Sequence, residues 1–143
     1  MRRYIVLSLV LVLACGGCLA DTAGSGAPEA SQGSQRPCVL LLHGLGRTAM
    51  SMATMARQLE RDGFRVTRLA YPSTDATIEV LTRDHLAPAV ERCYKDHCRV
   101  LHMVSHSLGG ILIRQYLQTH ALPVGSRIVM LSPPNQGSEI ADY

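Results

Sequence analysis

The chain has 143 residues, room for one domain, and carries 14 Lys and Arg against 11 Asp and Glu for a formal net charge of +3. Without Arg2 and Arg3 the basic count falls to 12, so no charge excess draws the protein to nucleic acid or to an anionic surface. Five cysteines with no histidine at zinc-site spacing give no reason to expect a metal, and no motif calls for a cofactor.

The opening MRRYIVLSLVLVLACGGC places two arginines before an apolar run from Tyr4 to Ala14, followed by small residues. That run is shorter than the roughly 20 residues a membrane-spanning helix needs, and its layout is that of an export signal over residues 1–20. VLAC, ending at Cys15, resembles a bacterial lipobox, which implies a lipid on that cysteine and a contact with the membrane through it. Cys18, cleavage after Ala20 and an uncleaved anchor are the alternatives. The expected location is the periplasm or the membrane surface of a bacterium, as a lipoprotein. Residues 21–37, DTAGSGAPEASQGSQRP, hold too little apolar surface to fold and read as a flexible tether with an end-to-end distance of roughly 20–25 Å. The folded domain is expected over 38–143. An exported chain can form disulfides, and Cys93 and Cys98, flanking the turn-sized YKDH, make the expected bridge.

CVLLLHG (38–44) is a continuous apolar run ending in glycine, the mark of a strand buried on both faces. In the segment after it Met52, Met55, Ala56 and Leu59 recur at helical spacing, with Thr48 able to cap the start and Gly63 able to stop the end. The methionine stripe reads as core. FRVTRLAYP (64–72) predicts a second strand, and 77–95 a helix kinked or restarted at Pro88. CRVLHMVS (98–105) predicts a third strand, LGGILIRQYLQTH (108–120) a third helix, and SRIVMLSPP (126–134) a fourth strand. This alternation predicts an α/β fold, an open parallel sheet with helices on both faces. Right-handed crossovers restrict how it can wind, and if the chain moves one way after the first strand and then doubles back past it, the first and third strands lie side by side at the centre. The first helix should cover one face and the later helices the other. Ligands bind at the carboxyl edge of such sheets, where the HGLG and SHSLG turns are expected to be neighbours.

SHSLG (105–109) departs from G-x-S-x-G only at Ser105. A strand-to-helix turn that lifts a serine hydroxyl clear of the sheet leaves space only for small residues two before and two after it, here Ser105 and Gly109. Gly110 lets the helix start pack closely on the sheet. The helix amides aim at Ser107, where they can stabilise an oxyanion. Three stretches, HGLGR (43–47), SHSLGG (105–110) and PPNQGSEIAD (133–142), together resemble the α/β-hydrolase superfamily, particularly its small bacterial lipase- and esterase-like members. The resemblance covers residues 38–143. It implies that Ser107 is the nucleophile and that the N–H groups of Leu45 and Leu108 form the oxyanion hole. His43, Gly44 and Gly46 shape the first loop, and His106 points away from the serine. It further implies a small ester or lipid as substrate.

A serine hydroxyl needs a base to take its proton and an acid to orient that base. The resembled family supplies them after the serine, acid first and histidine last. Of His43, His85, His97, His102, His106 and His120, only His120 follows Ser107, at the far end of a helix about 18–20 Å away. Glu139 and Asp142 are the only later acids. The family's last strands have no counterpart, so the expectation is a truncated hydrolase with little or no activity in the isolated chain. The alternatives are a base supplied from elsewhere, or a non-catalytic exported lipoprotein that uses its sheet for binding.

Overall fold

The computed structural model of the protein describes residues 36–137. The expected export signal, the Cys15 lipidation site, residues 21–35 of the tether, Glu139 and Asp142 lie outside them.

Four parallel strands form one open sheet: β1 (Cys38–Leu42), β2 (Arg65–Leu69), β3 (Leu101–His106) and β4 (Ile128–Leu131), in the spatial order β2-β1-β3-β4. β1 and β3 are the inner pair, in register from Cys38 opposite Leu101 to Leu42 opposite Ser105. Helix α1 (Ala53–Arg61) covers one face, where Met52 and Ala56 pack on Val39 and Leu41. Helices α2 (Ile78–Leu81), α3 (Ala87–Lys95) and α4 (Leu108–Leu117) cover the other, where Leu81, Leu86, Val90, Leu112 and Ile113 meet Leu40, Leu42, Leu101 and Met103. Every residue of β1 is buried, which explains why its sequence is apolar without alternation. Each fully buried leucine contributes about 1.5–3 kcal/mol relative to exposure. β4 pairs only with β3 among the described residues, and its Val129 and Leu131 stay 50% and 37% exposed.

The punctuation of α1 follows the sequence. The Thr48 side chain accepts the Met50 N–H, a short 3-10 turn over Ala49–Met52 leads in, and Gly63 stops the helix at φ +91°. The Gly63 and Phe64 N–H groups return to the Glu60 and Leu59 carbonyls, closing the last turn.

The helix expected over 77–95 is not continuous. Pro88 has no N–H to give the preceding turn, and the ladder slips by one residue before it. Thr82–Leu86 form a π turn in which the Ala87 N–H donates to the Thr82 carbonyl.

The expected Cys93–Cys98 bridge is corrected: the disulfide joins Cys38 to Cys98, and Cys93 is a buried free thiol. Parallel pairing brings β1 beside the lead-in to β3, with the Cys38 N–H donating to the Val100 carbonyl, and this sets the Cys38 and Cys98 Cα atoms 5.8 Å apart. The strand itself starts at Leu101 rather than Cys98, because His97 (φ +62°) and Cys98 complete the end of α3. Closing a separation of 60 residues stabilises the fold by about 4 kcal/mol in the chain-entropy picture.

Candidate active site at the carboxyl edge

Ser107 occupies the single residue between β3 and α4. Its backbone sits at φ +49°, ψ −120°, a region sparsely used by residues with a side chain and worth about 1–3 kcal/mol of strain. The bend is held at both ends. The Ser107 N–H donates to the Leu131 carbonyl of β4 at 2.9 Å, and its own carbonyl accepts from Gly110 at 2.9 Å. Ser107 and Leu108 are half-buried, not sealed beneath other side chains.

The glycines around the bend answer to space. A Cβ on Gly109 would come within 2.8 Å of Leu42 Cβ and 3.0 Å of the His43 carbonyl. One on Gly110 would meet Pro133 at 3.2 Å and Ser105 Oγ at 3.4 Å. Ser105 is fully buried between Leu42 and α4, and its hydroxyl has no protein partner. A residue larger than serine there would push against the first turn of α4.

The two glycine-bearing corners are neighbours. A Cβ on Gly44 would lie 3.2 Å from Ser107 Cβ and 2.8 Å from His106 Nδ1, so the loop after β1 leans directly on the serine. Gly46 turns this loop at φ +63°. The Leu45 and Leu108 N–H groups donate to no other group of the protein among the described residues, which leaves both amides free beside Ser107.

Two side chains that sequence reasoning missed fix the loop from the segment after β2. The Tyr71 hydroxyl donates to the His43 carbonyl while its ring stacks on the imidazole at a centroid distance of 4.1 Å. Ser73 Oγ accepts the Gly46 N–H at 3.0 Å. Burial holds the Tyr71 hydroxyl protonated well above the ordinary tyrosine range. No local signal marks these two, since their partners lie 27 and 28 residues away. His43 is 1% exposed, and its Nδ1–H donates to the Gly44 carbonyl, leaving Nε2 buried without a partner.

A pocket of about 360 Å³ opens beside this loop, lined by His43, Thr48, Ala49, Ala70, Tyr71, Pro72 and His85. Ser107 is not in its lining.

Among the described residues no histidine hydrogen-bonds to the Ser107 hydroxyl. His120 stacks on Tyr116 and bonds to Thr119 and to the Tyr116 carbonyl at the end of α4. His102 accepts the Arg127 N–H, and His106 is exposed with its Nδ1 against Gly44. Among the described residues no group of three or more His, Cys, Asp or Glu is placed to hold a metal ion, and no helix is long and apolar enough to cross a membrane.

Residues 39–142 match the sequence profile described as the alpha/beta hydrolase family. No curated sequence matches significantly. Among solved structures, the chain is similar to the Bacillus licheniformis lipase BlEst2 in mature form, at 24% identity and a TM-score of 0.64 over 82% of this chain and 49% of that one. It is similar to carboxylesterases of the ammonia-oxidizing thaumarchaeon Nitrososphaera gargenis, at 21% identity and a TM-score of 0.55 over 76% and 41%. It is also similar to an extracellular alpha/beta-hydrolase from a Paenibacillus species, described as sharing structural and functional homology with tobacco salicylic acid binding protein 2, at 23% identity and a TM-score of 0.54 over 68% and 40%. The match spans less than half the length of each of these proteins.

Proposed function

Since the chain belongs to the alpha/beta hydrolase family, we propose that it is the nucleophile-bearing part of an exported serine hydrolase of carboxylic esters, lipase- or esterase-like. The observation that carries this reading is the contact of the two corners: Gly44 against Ser107, with the Leu45 and Leu108 amides unengaged beside it.

In the proposed reaction Ser107 Oγ attacks the ester carbonyl carbon and loses its proton to a base. The carbonyl oxygen takes the negative charge and is held by the Leu45 and Leu108 N–H groups. Collapse expels the alcohol, which takes up the proton, and water then releases the acid from the acyl-serine by the same steps. The base and its acid come from outside the described residues. The lipase and carboxylesterases among the similar structures support the substrate class. A Cys38–Cys98 bridge agrees with an oxidising compartment. Lipid anchoring through Cys15 completes the proposal.

A fluorophosphonate probe tests the nucleophile and the missing base together. The isolated 143-residue chain is expected to label weakly, and Ser107→Ala to lose what labelling there is. Strong stoichiometric labelling would place the base within this chain, and labelling that survives Ser107→Ala would remove the serine from the mechanism. Incorporation of a palmitate analogue, lost in Cys15→Ser, tests the anchor.

A further inference from the structure

A disulfide and one guanidinium meet at the amino edge of the sheet, and a third cysteine belongs to the same buried cluster. Cys38, Cys93 and Cys98 are all buried, at 2%, 6% and 6% exposure, so solvent reductants have little access to the bridge. Arg65, on the edge strand β2, reaches over it. Its Nη2 lies 3.1 Å from Cys38 Sγ and 2.6 Å from Cys98 Sγ, its Nε lies 3.3 Å from Cys38 Sγ, and Nη2 also donates to the Asp96 carbonyl.

The third cysteine is brought next to Cys98 along the chain by the way α3 ends. The Cys98 N–H donates to the Cys93 carbonyl and the His97 N–H to the Tyr94 carbonyl, both at 3.0 Å, with His97 left-handed. In this helix stop the residues at the two ends of the longer bond bring their side chains together. Those residues are Cys93 and Cys98. The free thiol and the disulfide's Cys98 thus stand at the two ends of one backbone hydrogen bond inside the same buried cluster, with the Arg65 guanidinium on both sulfurs of the bridge.

We propose that Cys93 is an internal exchange thiol that takes Cys98 from Cys38, so that the protein holds two alternative disulfides. The Cys93 thiol gives up its proton and the thiolate attacks Cys98 Sγ. The Cys93–Cys98 bond forms, the Cys38–Cys98 bond breaks, and the electron pair leaves on Cys38, which Arg65 stabilises until it takes up a proton. One thiol and one disulfide enter and leave, so no oxidant or reductant is consumed. A bond that clamps the start of β1 to the lead-in of β3 is traded for one local to the end of α3, and β1 is released at its first residue. This reading is independent of the proposed hydrolase chemistry.

Burial holds the Cys93 thiol protonated, and Arg65, Asp96 and Arg92 are the charged groups around it. Exchange is therefore slow at neutral pH and faster in alkali.

The test uses the full chain with Cys15→Ser and Cys18→Ser, so that only three sulfurs take part. It is incubated with iodoacetamide at alkaline pH without added thiol, digested unreduced and mapped by mass spectrometry. The expected result is alkylated Cys38 together with a Cys93–Cys98 bridge, appearing several-fold more slowly in Arg65→Gln because the leaving thiolate loses its cation. Alkylation confined to Cys93, with Cys38–Cys98 intact, overturns the proposal. A second arm adds Cys38→Ser and oxidises with glutathione disulfide. A Cys93–Cys98 bridge in a chain that keeps its circular dichroism is expected, whereas two separate glutathionylated cysteines would show that the sulfurs do not meet and sink the idea even if Arg65→Gln fails to fold.

Discussion

The two edges of the sheet are held together by different means. At the carboxyl edge the corners after β1 and β3 meet through glycines, with Gly109 against Leu42 and Gly44 against Ser107, and with a serine in a strained conformation between β3 and α4. At the amino edge the same two central strands are joined by the Cys38–Cys98 bond under an arginine. At the carboxyl edge the corners are positioned by the absence of side chains and by a strained backbone. At the amino edge the position of the strands is set by a covalent bond. The first strategy gives precision with little tolerance for added bulk; the second gives stability that tolerates changes in packing.

Four measurements sharpen or break that contrast. The largest effect should come from reducing the disulfide, which is expected to lower unfolding stability by about 4 kcal/mol in denaturant titrations; a negligible loss would mean that the amino edge needs no covalent tie. Next is Gly109→Ala, whose methyl meets Leu42 Cβ at 2.8 Å and the backbone of His43, and which is expected to destabilise by about 3 kcal/mol. Gly44→Ala should lose clearly less, because its closest obstacle is the exposed His106 ring, which can move aside. Equal losses would show that the carboxyl edge is not limited by space.

Tyr71 gives the third. Its hydroxyl ionises later in the folded protein than in the unfolded chain, so its contribution is complete below the ordinary tyrosine value and declines as pH rises past about 10. Alkaline unfolding should steepen by up to about 1.4 kcal/mol per pH unit above that point, and Tyr71→Phe should flatten the slope. The smallest effect belongs to Ser107→Gly. Glycine accepts the positive φ, so this variant is expected to gain about 1 kcal/mol while losing all fluorophosphonate labelling. A loss of stability there would mean that the bend stores no strain.

The strands and helices were legible from apolar periodicity, which is local, and once the chain is taken to double back past its first strand, crossover handedness gives the central pair and the helix faces. SHSLG and HGLG were legible for a related reason: close packing selects small residues that stand out in sequence. The supports from Tyr71 and Ser73 were not, since nothing near either residue announces a partner in the loop after β1. The bridge was misread because Cys93 and Cys98 are near neighbours in sequence, while Cys38 reaches Cys98 only through strand pairing. Pro88 marked a break in the helix, but the slipped hydrogen bond it produces at Thr82 depends on where Leu86 and Val90 must land in the core.

The stack of Tyr71 on His43 makes the protein its own optical probe. With no tryptophan and only five tyrosines in the chain, ultraviolet emission is not swamped by indole, and one emitter rests against the loop that touches Ser107. Any molecule that shifts that loop alters the stacking partner of the ring, and the change can be followed by intrinsic fluorescence without a label, a substrate or turnover.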